Sequence, residues 1–340
     1  MNASKEPRSN KDKENLIVYN SSSDQADFLK IEALSDFLQA GDLLVVNDAA
    51  TLPSSHIAET LKGELFELRL ASAVTENTWK AIAMGSGNWH NTTESRGLPP
   101  EFKIGDRILI DGKLNAKISE VSFANRFLTI EFESQMTEIW TELLKNGKPI
   151  QYSYLEEDLN LNEFQTVFAS QPWAIEMPSA GRPLSWNLLQ NLLKKGVKIA
   201  TLTHAAGISS TGLAELDALL PLPERSDISQ KTVDLVRETK ARNRKIVAVG
   251  TTVVRALEGR FYSHGELKSG VEITDLRIHN EFELNVVDAL LSGLHDPSES
   301  HFELMRAFAS EESLKAVFNE AEKRQFLCHE FGDSILVFKQ

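Results

Sequence analysis

The sequence of this 340-residue chain predicts an α/β fold, a mostly parallel sheet with helices, carrying an inserted small all-β, barrel-like domain. Three observations predict it. Short β-branched runs alternate with helical patterns in both the first and the last parts of the chain. Between about Glu64 and Glu133 that texture gives way to strict alternation punctuated by Gly, Pro and Asn. Finally, Lys245 to Glu258 reads as a buried strand, a tight turn and a helix start in direct succession.

Taken in order, residues 1–15 are polar and of mixed charge, and are expected to be a disordered tail with no signal or transit peptide. The α/β domain is expected over 16–60 and 137–340. An apolar run from Leu16, a helical pattern from Ile31 to Leu38 and the run Leu43 to Val46 give strand, helix and buried strand. Residues 61–136 should form the inserted domain. Its five or six short strands include Leu65 to Leu70, Trp79 to Ile82, Arg107 to Ile110, Ala116 to Val121 and Phe127 to Phe132. Helix and strand then alternate again: a helix at Trp186 to Lys195 before a strand at Val197 to Thr201, a helix over 230–241 before Ile246 to Val249, and a helix over 312–325 before Ser334 to Phe338.

Composition narrows the function classes. No apolar run approaches the roughly 18 to 20 residues of a membrane span. The single cysteine, Cys328, allows no intramolecular disulfide and fits a reducing compartment, so a cytoplasmic location is expected. A formal charge of −13 argues against indiscriminate nucleic-acid binding. A local basic cluster remains, because Lys240, Arg242, Arg244, Lys245 and Arg255 fall within 240–255 with no acidic residue among them. It reads either as solvated helix ends or as a phosphate-contacting patch. The eight histidines never fall at i, i+4 around a Glu nor beside a cysteine pair, so no metal is expected, and with no Walker A loop or dinucleotide fingerprint no bound prosthetic group is expected either.

Candidate chemistry lies at strand ends, where open α/β sheets bind ligands. Gly250 turns the chain, and Thr251 or Thr252 is placed to cap a helix whose first turn offers free N–H groups and a positive dipole end. Arg255, three or four residues on, could reach back over the same mouth and hold a carboxylate or phosphate. His204 ends a strand and leads into the Ser209-Ser210-Thr211 loop. Pro178-Ser179-Ala180-Gly181 is a second loop, and Asp288 with His295 and Pro297 a third. Each alone is more often structural than catalytic: a capping Asp, a hydrogen-bonded histidine or a turn.

These loops, in this order, resemble the S-adenosylmethionine:tRNA ribosyltransferase-isomerase family of queuosine biosynthesis. The matching stretches are Gly41 to Asn47, Phe164-Gln165-Thr166-Val167-Phe168, Pro178 to Gly181, His204, Val249 to Arg255, Val286 to Leu290, His295 with Pro297, and Gly332-Asp333. The resemblance implies an α/β domain with an inserted β-barrel. It also implies a reaction in which the ribosyl part of S-adenosylmethionine moves onto 7-aminomethyl-7-deazaguanine in tRNA, is isomerised to an epoxycyclopentane, and releases adenine and methionine. S-adenosylmethionine would be a co-substrate. That chemistry needs a base for the C5′ proton, a proton donor for adenine and an anchor for the methionine carboxylate. His204, Asp288 and His295 are the acid/base candidates, and Arg255 with Gly250, Thr251 and Thr252 the anchor. Gln165, Ser179 and Glu224 complete the expected binding set.

The chain departs from the family pattern chiefly in its loops. Two family arginines become Ala50 and Ser55, the family's Ala-Gly-Leu-His-Phe becomes Ala180-Gly181-Arg182-Pro183-Leu184, and Gly-Ala-Gly-Thr-Phe becomes Ala206 to Ser210. A His-rich stretch ending in Glu keeps only Glu224. A paralogue acting on a different, non-tRNA acceptor and a non-catalytic binding protein on the same scaffold are the competing readings.

Overall fold

The computed structural model describes residues 1–295 and 300–339. Nine strands form one sheet in the order Gly270–Thr274, Glu224–Ile228, Lys198–His204, Leu43–Asn47, Ile246–Val249, Ala289–Gly293, Ser334–Phe338, Asn15–Asn20 and Gln25–Lys30. The four middle strands, Lys198–His204 through Ala289–Gly293, run parallel. On either side of them the next strand is antiparallel.

Both faces of the middle of this sheet are covered, which is why Leu43–Asn47, Ile246–Val249, Ala289–Gly293 and Ser334–Phe338 are buried nearly throughout without alternating with exposed residues. Leu43 and Val45, with Ile246 and Ala248, pack under the helices Gln230–Ala241, Thr251–His264 and Glu311–Lys323. Leu44 and Val46, with Val247 and Val249, pack on the other face with Leu188, Leu189 and Leu192 of the helix Trp186–Lys194. Period-two pleating sends successive residues to opposite cores.

The inserted unit is a closed antiparallel barrel of Leu114–Ser122, Phe127–Phe132, Thr78–Met84, Leu65–Ala73, Ser55–Thr60 and Arg107–Ile110. Inward residues such as Leu68, Ala81, Ile108, Ala116 and Ile130 fill it, and closure leaves no open sheet edge. Its first strand starts at Ser55, six residues before the boundary drawn from the sequence.

The amino-terminal residues also differ from expectation. Asn2–Ala3 pairs in parallel with Leu327–Cys328, Arg8 Nη1 lies 2.5 Å from Asp333 Oδ1, and the buried Glu14 pairs with Arg182. Polarity suggested disorder, but this segment is held by backbone pairing and ion pairs that leave no hydrophobic period to read. Among the described residues no helix is long and apolar enough to cross a membrane.

Candidate active site

At the carboxyl end of Ile246–Val249 the chain turns at Gly250, whose φ of 93° and ψ of 153° lie where essentially only glycine is found. Gly250 is itself the N-cap of the helix Thr251–His264, with no side chain capping. Thr251 and Thr252 are therefore the first helical residues, not caps. The first-turn amides of this 14-residue helix face the end of the sheet, where a cleft of about 260 Å³ opens. Gly250, Thr251, Thr252, Arg255, Ser179, Glu224 and His295 all line it. Loops spread over more than 110 residues of sequence, from Ser179 to His295, thus meet at one mouth.

Arg255 is buried. Its Nη1 pairs with Glu224, its Nε donates to Leu276 O at 3.1 Å, and its Nη2 is enclosed without a partner among the described residues. Glu224 Oε1 also accepts from the Gly207 amide at 2.7 Å. Burial pushes the Glu224 carboxyl up against the opposing pull of Arg255 and the Gly207 amide. The guanidinium is therefore held rigidly, with its Nη2 amino group left over at the cleft wall.

His295 stacks on His301, their rings 4.2 Å apart and 8° from parallel. Both line the cleft, with Glu303 beside them. Burial, reinforced by His295, Arg255 and His329, holds the His301 imidazole well below its usual range. Sequence reasoning missed His301, because a histidine in a polar stretch carries no periodic signal. Pro297, paired with His295 in the sequence reading, lies outside the described residues.

Three expected site residues are elsewhere. Asp288 precedes the strand Ala289–Gly293, and the five residues of that strand, about 16 Å at strand rise, separate it from the His295 end. Its Oδ2 accepts from Ile246 N at 2.9 Å and its Oδ1 faces Lys339 at 3.2 Å, so it pins strand starts at the opposite edge of the sheet. Gln165 clamps Thr51, accepting from its amide at 3.0 Å and donating to its carbonyl at 2.9 Å, and does not line the cleft. His204 is fully buried behind the site, with Nε2 3.5 Å from Glu224 Oε2. Burial and the neighbouring Arg255 keep its imidazole well below the usual range. It packs beneath the Arg255–Glu224 pair rather than touching the cleft.

The basic cluster also divides. Arg255 lies in the cleft wall, whereas Lys240 to Lys245 sit at the start of Ile246–Val249, the far edge of the sheet. There Arg242 pairs with Glu238 at 2.7 Å, Arg244 donates to Gln39 at 2.8 Å, and Lys245 Nζ lies 4.2 Å from the Phe338 ring centre. Four residues of strand put these cations on the side away from the mouth.

A carboxyl that the sequence reading passed over, Glu176, lines the cleft beside Ser209. It accepts from the Tyr152 hydroxyl and from the Ser209 amide at 3.1 Å. Burial pushes this carboxyl up, against those hydrogen bonds, and burial with Glu176 nearby pushes the Tyr152 phenol well up. A lone acid within Ala174-Ile175-Glu176-Met177 was the available signal. No group of three or more metal-ligating side chains is arranged to hold an ion among the described residues.

Comparison with known proteins agrees with this architecture. A family model described as "Queuosine biosynthesis protein" matches residues 2–337. The S-adenosylmethionine:tRNA ribosyltransferase-isomerase of Acaryochloris marina is 33% identical over 311 residues, covering 89% of this chain and 82% of the relative. The protein of the same name from Fusobacterium nucleatum is 27% identical over 98% of this chain and 92% of its own length. The crystal structure of the S-adenosylmethionine tRNA ribosyltransferase of Thermotoga maritima superposes with a TM-score of 0.55 at 25% identity, covering 99% of this chain and 96% of that one. The inserted barrel, the parallel sheet and a family match across nearly the whole length lead to one conclusion: this chain belongs to the queuosine biosynthesis protein family.

Proposed function

We propose that this chain is an S-adenosylmethionine:tRNA ribosyltransferase-isomerase, an enzyme that moves and isomerises the ribosyl part of S-adenosylmethionine onto 7-aminomethyl-7-deazaguanine in tRNA. One observation carries the reading: the helix start at Gly250, the Arg255–Glu224 pair and His295 open onto one cleft at the carboxyl ends of the parallel strands, in a chain of this family. S-adenosylmethionine is the co-substrate, and the cytoplasm, where tRNA is found, is the expected location.

The residues take these roles. The amides of Thr251 and Thr252, at the positive end of a 14-residue helix, hold the methionine carboxylate, with the free Nη2 of Arg255 as a further donor. Ser179 lines the same wall. Glu224 keeps Arg255 fixed, and His204 packs behind both. His295, stacked against His301 in the cleft wall, takes the C5′ proton. Asp288 and Gln165 have no part in the chemistry; they hold the scaffold.

The test is to incubate the protein with S-adenosylmethionine, with and without precursor tRNA, and to follow adenine and methionine by mass spectrometry. Adenine released only with the tRNA is the expected result; binding without release in any mixture would sink the proposal. A second reading, a paralogue acting on a small acceptor, is favoured by the position of Lys240 to Lys245 on the far edge of the sheet, where they cannot steer tRNA to the mouth. It predicts adenine release with small molecules from cell extract and none with tRNA.

A further inference from the structure

Three carboxyl groups line the cleft among the described residues, and they differ in what faces them. Glu224 is neutralised by Arg255, and Glu303 Oε2 is 2.5 Å from Arg306 Nη1. Glu176 has only neutral hydrogen-bond donors, the Tyr152 hydroxyl and the Ser209 amide. Tyr152 OH in turn lies 3.0 Å from Ser209 Oγ, so the three residues form one fixed unit. The guanidinium within electrostatic reach, Arg69, stands behind the Tyr152 ring, 5.7 Å from its centre, and is paired with Glu67 at 2.7 Å. Among the described residues no cation donates a hydrogen bond to Glu176.

A carboxylate so placed gains more from a bound cation than either of its neighbours. Protein encloses it on the side away from the cleft, water is partly excluded, and its donors hold it in one orientation. Ser209 belongs to the loop Ala206 to Ser210, which forms part of the cleft wall beside Glu176. Glu224 and Glu176 grip that loop two residues apart, through the amides of Gly207 and Ser209. The cleft thus has one carboxylate wall already paired with arginine and a second open to a ligand.

We propose that Glu176, oriented by Tyr152 and Ser209, is the residue of this cleft that binds a substrate ammonium group. This rests on the function proposed above, which supplies two ammonium groups: the aminomethyl of the acceptor and the α-amino group of the methionine half of S-adenosylmethionine. Glu176 is a positioning residue in either case. It makes a charge-assisted hydrogen bond to an N–H of the ammonium and fixes that nitrogen relative to the sugar.

Calorimetric binding to the full chain tests this without requiring turnover. The probes are the free base 7-aminomethyl-7-deazaguanine, its uncharged 7-cyano counterpart, S-adenosylmethionine and a desamino analogue of S-adenosylmethionine. The wild type should bind at least one amine-bearing probe about ten-fold or more tighter than its uncharged partner, the worth of one charge-assisted hydrogen bond. Glu176→Gln, which keeps an oxygen for Tyr152 and Ser209, should abolish that difference at an unchanged melting temperature. Loss confined to the aminomethyl base assigns the acceptor amine, and loss confined to S-adenosylmethionine assigns the methionine amine. Tyr152→Phe should reduce the same preference in part while leaving the uncharged probes unaffected. Equal binding of amine and uncharged probes by the wild type would overturn the proposal, even if Glu176→Gln failed to fold. So would a preference that survives in a folded Glu176→Gln. A wild type that prefers the amine but never releases adenine would instead reject the proposed activity and leave the ammonium site standing.

Discussion

Arg255 and Glu224 form a buried pair that, under the proposed function, serves both stability and binding. Their charges are buried together, so removing one leaves the other without compensation. Arg255→Ala should therefore weaken S-adenosylmethionine binding by about 1.5–3 kcal/mol for the lost charged hydrogen bond. It should also lower folding stability by about 3–5 kcal/mol, because Glu224 is stranded. Calorimetry and urea unfolding read the two separately, and unchanged affinity in a folded variant would remove Arg255 from the anchor. Glu330 is a second residue-scale case. Its carboxyl is pushed up to about 7 by burial, and Oε2 has no partner. A raised folded value means that the native state holds this proton more tightly than the unfolded chain. The resulting stability is full below the ordinary carboxyl range and is lost as pH rises through about 7. Glu330→Gln, which cannot ionise, should raise the melting temperature at pH 8 and leave it nearly unchanged at pH 4. A variant melting in parallel with the wild type at both pH values would contradict this.

Among the elements, the strand-turn-helix at Ile246 to His264 depends on one glycine. The Gly250 amide donates to Leu291 O at 2.8 Å, and its φ of 93° aims the helix start at the cleft. A Cβ there would stand 3.4 Å from the Ala180 Cβ, an ordinary contact, so backbone strain rather than crowding sets the cost of a side chain. Gly250→Ala should destabilise the fold by about 1–3 kcal/mol. It should also weaken S-adenosylmethionine binding, because the first-turn amides would be re-aimed. Urea midpoints and calorimetric affinity check both, and an alanine variant equal to the wild type would show that this turn is relaxed. The Ala289–Gly293 strand teaches the complementary lesson. Two polar groups seven residues apart, Asp288 and His295, belong to opposite edges of the sheet because a strand runs between them.

Across the whole molecule, the amino-terminal residues close the structure at the cleft end of the sheet. Asp333, at the start of the last strand, accepts from Arg8 and from the amides of Asn15 and Leu327, and Glu14 pairs with buried Arg182 beside the Pro178 to Gly181 loop. Arg182 also lies 4.8 Å from the Phe331 ring centre. Where the family pattern has Leu-His after Ala-Gly, this chain has Arg182-Pro183, and the arginine has its partner in the amino-terminal segment. Glu14→Ala should cost about 3–5 kcal/mol of stability by isolating Arg182. Chemical denaturation should show it as a shifted midpoint; a change below 1 kcal/mol would mean that water reaches the arginine.

The apolar runs alone determined the central strands, the covered sheet and the barrel texture, because a side chain's burial is written locally in period and residue type. They also located the Gly250 turn, where backbone geometry demands glycine and a helix must follow. Tertiary structure decided which polar residues meet. Ser179, Glu224, Arg255 and His295 converge, His204 goes behind them, and Asp288 and Gln165 go elsewhere. His301 and Glu176 enter the cleft without a periodic signal of their own. Periodicity reports the face on which a residue lies. The edge of the sheet it reaches, and the charge it finds there, depend on strand order and on partners far away in the chain.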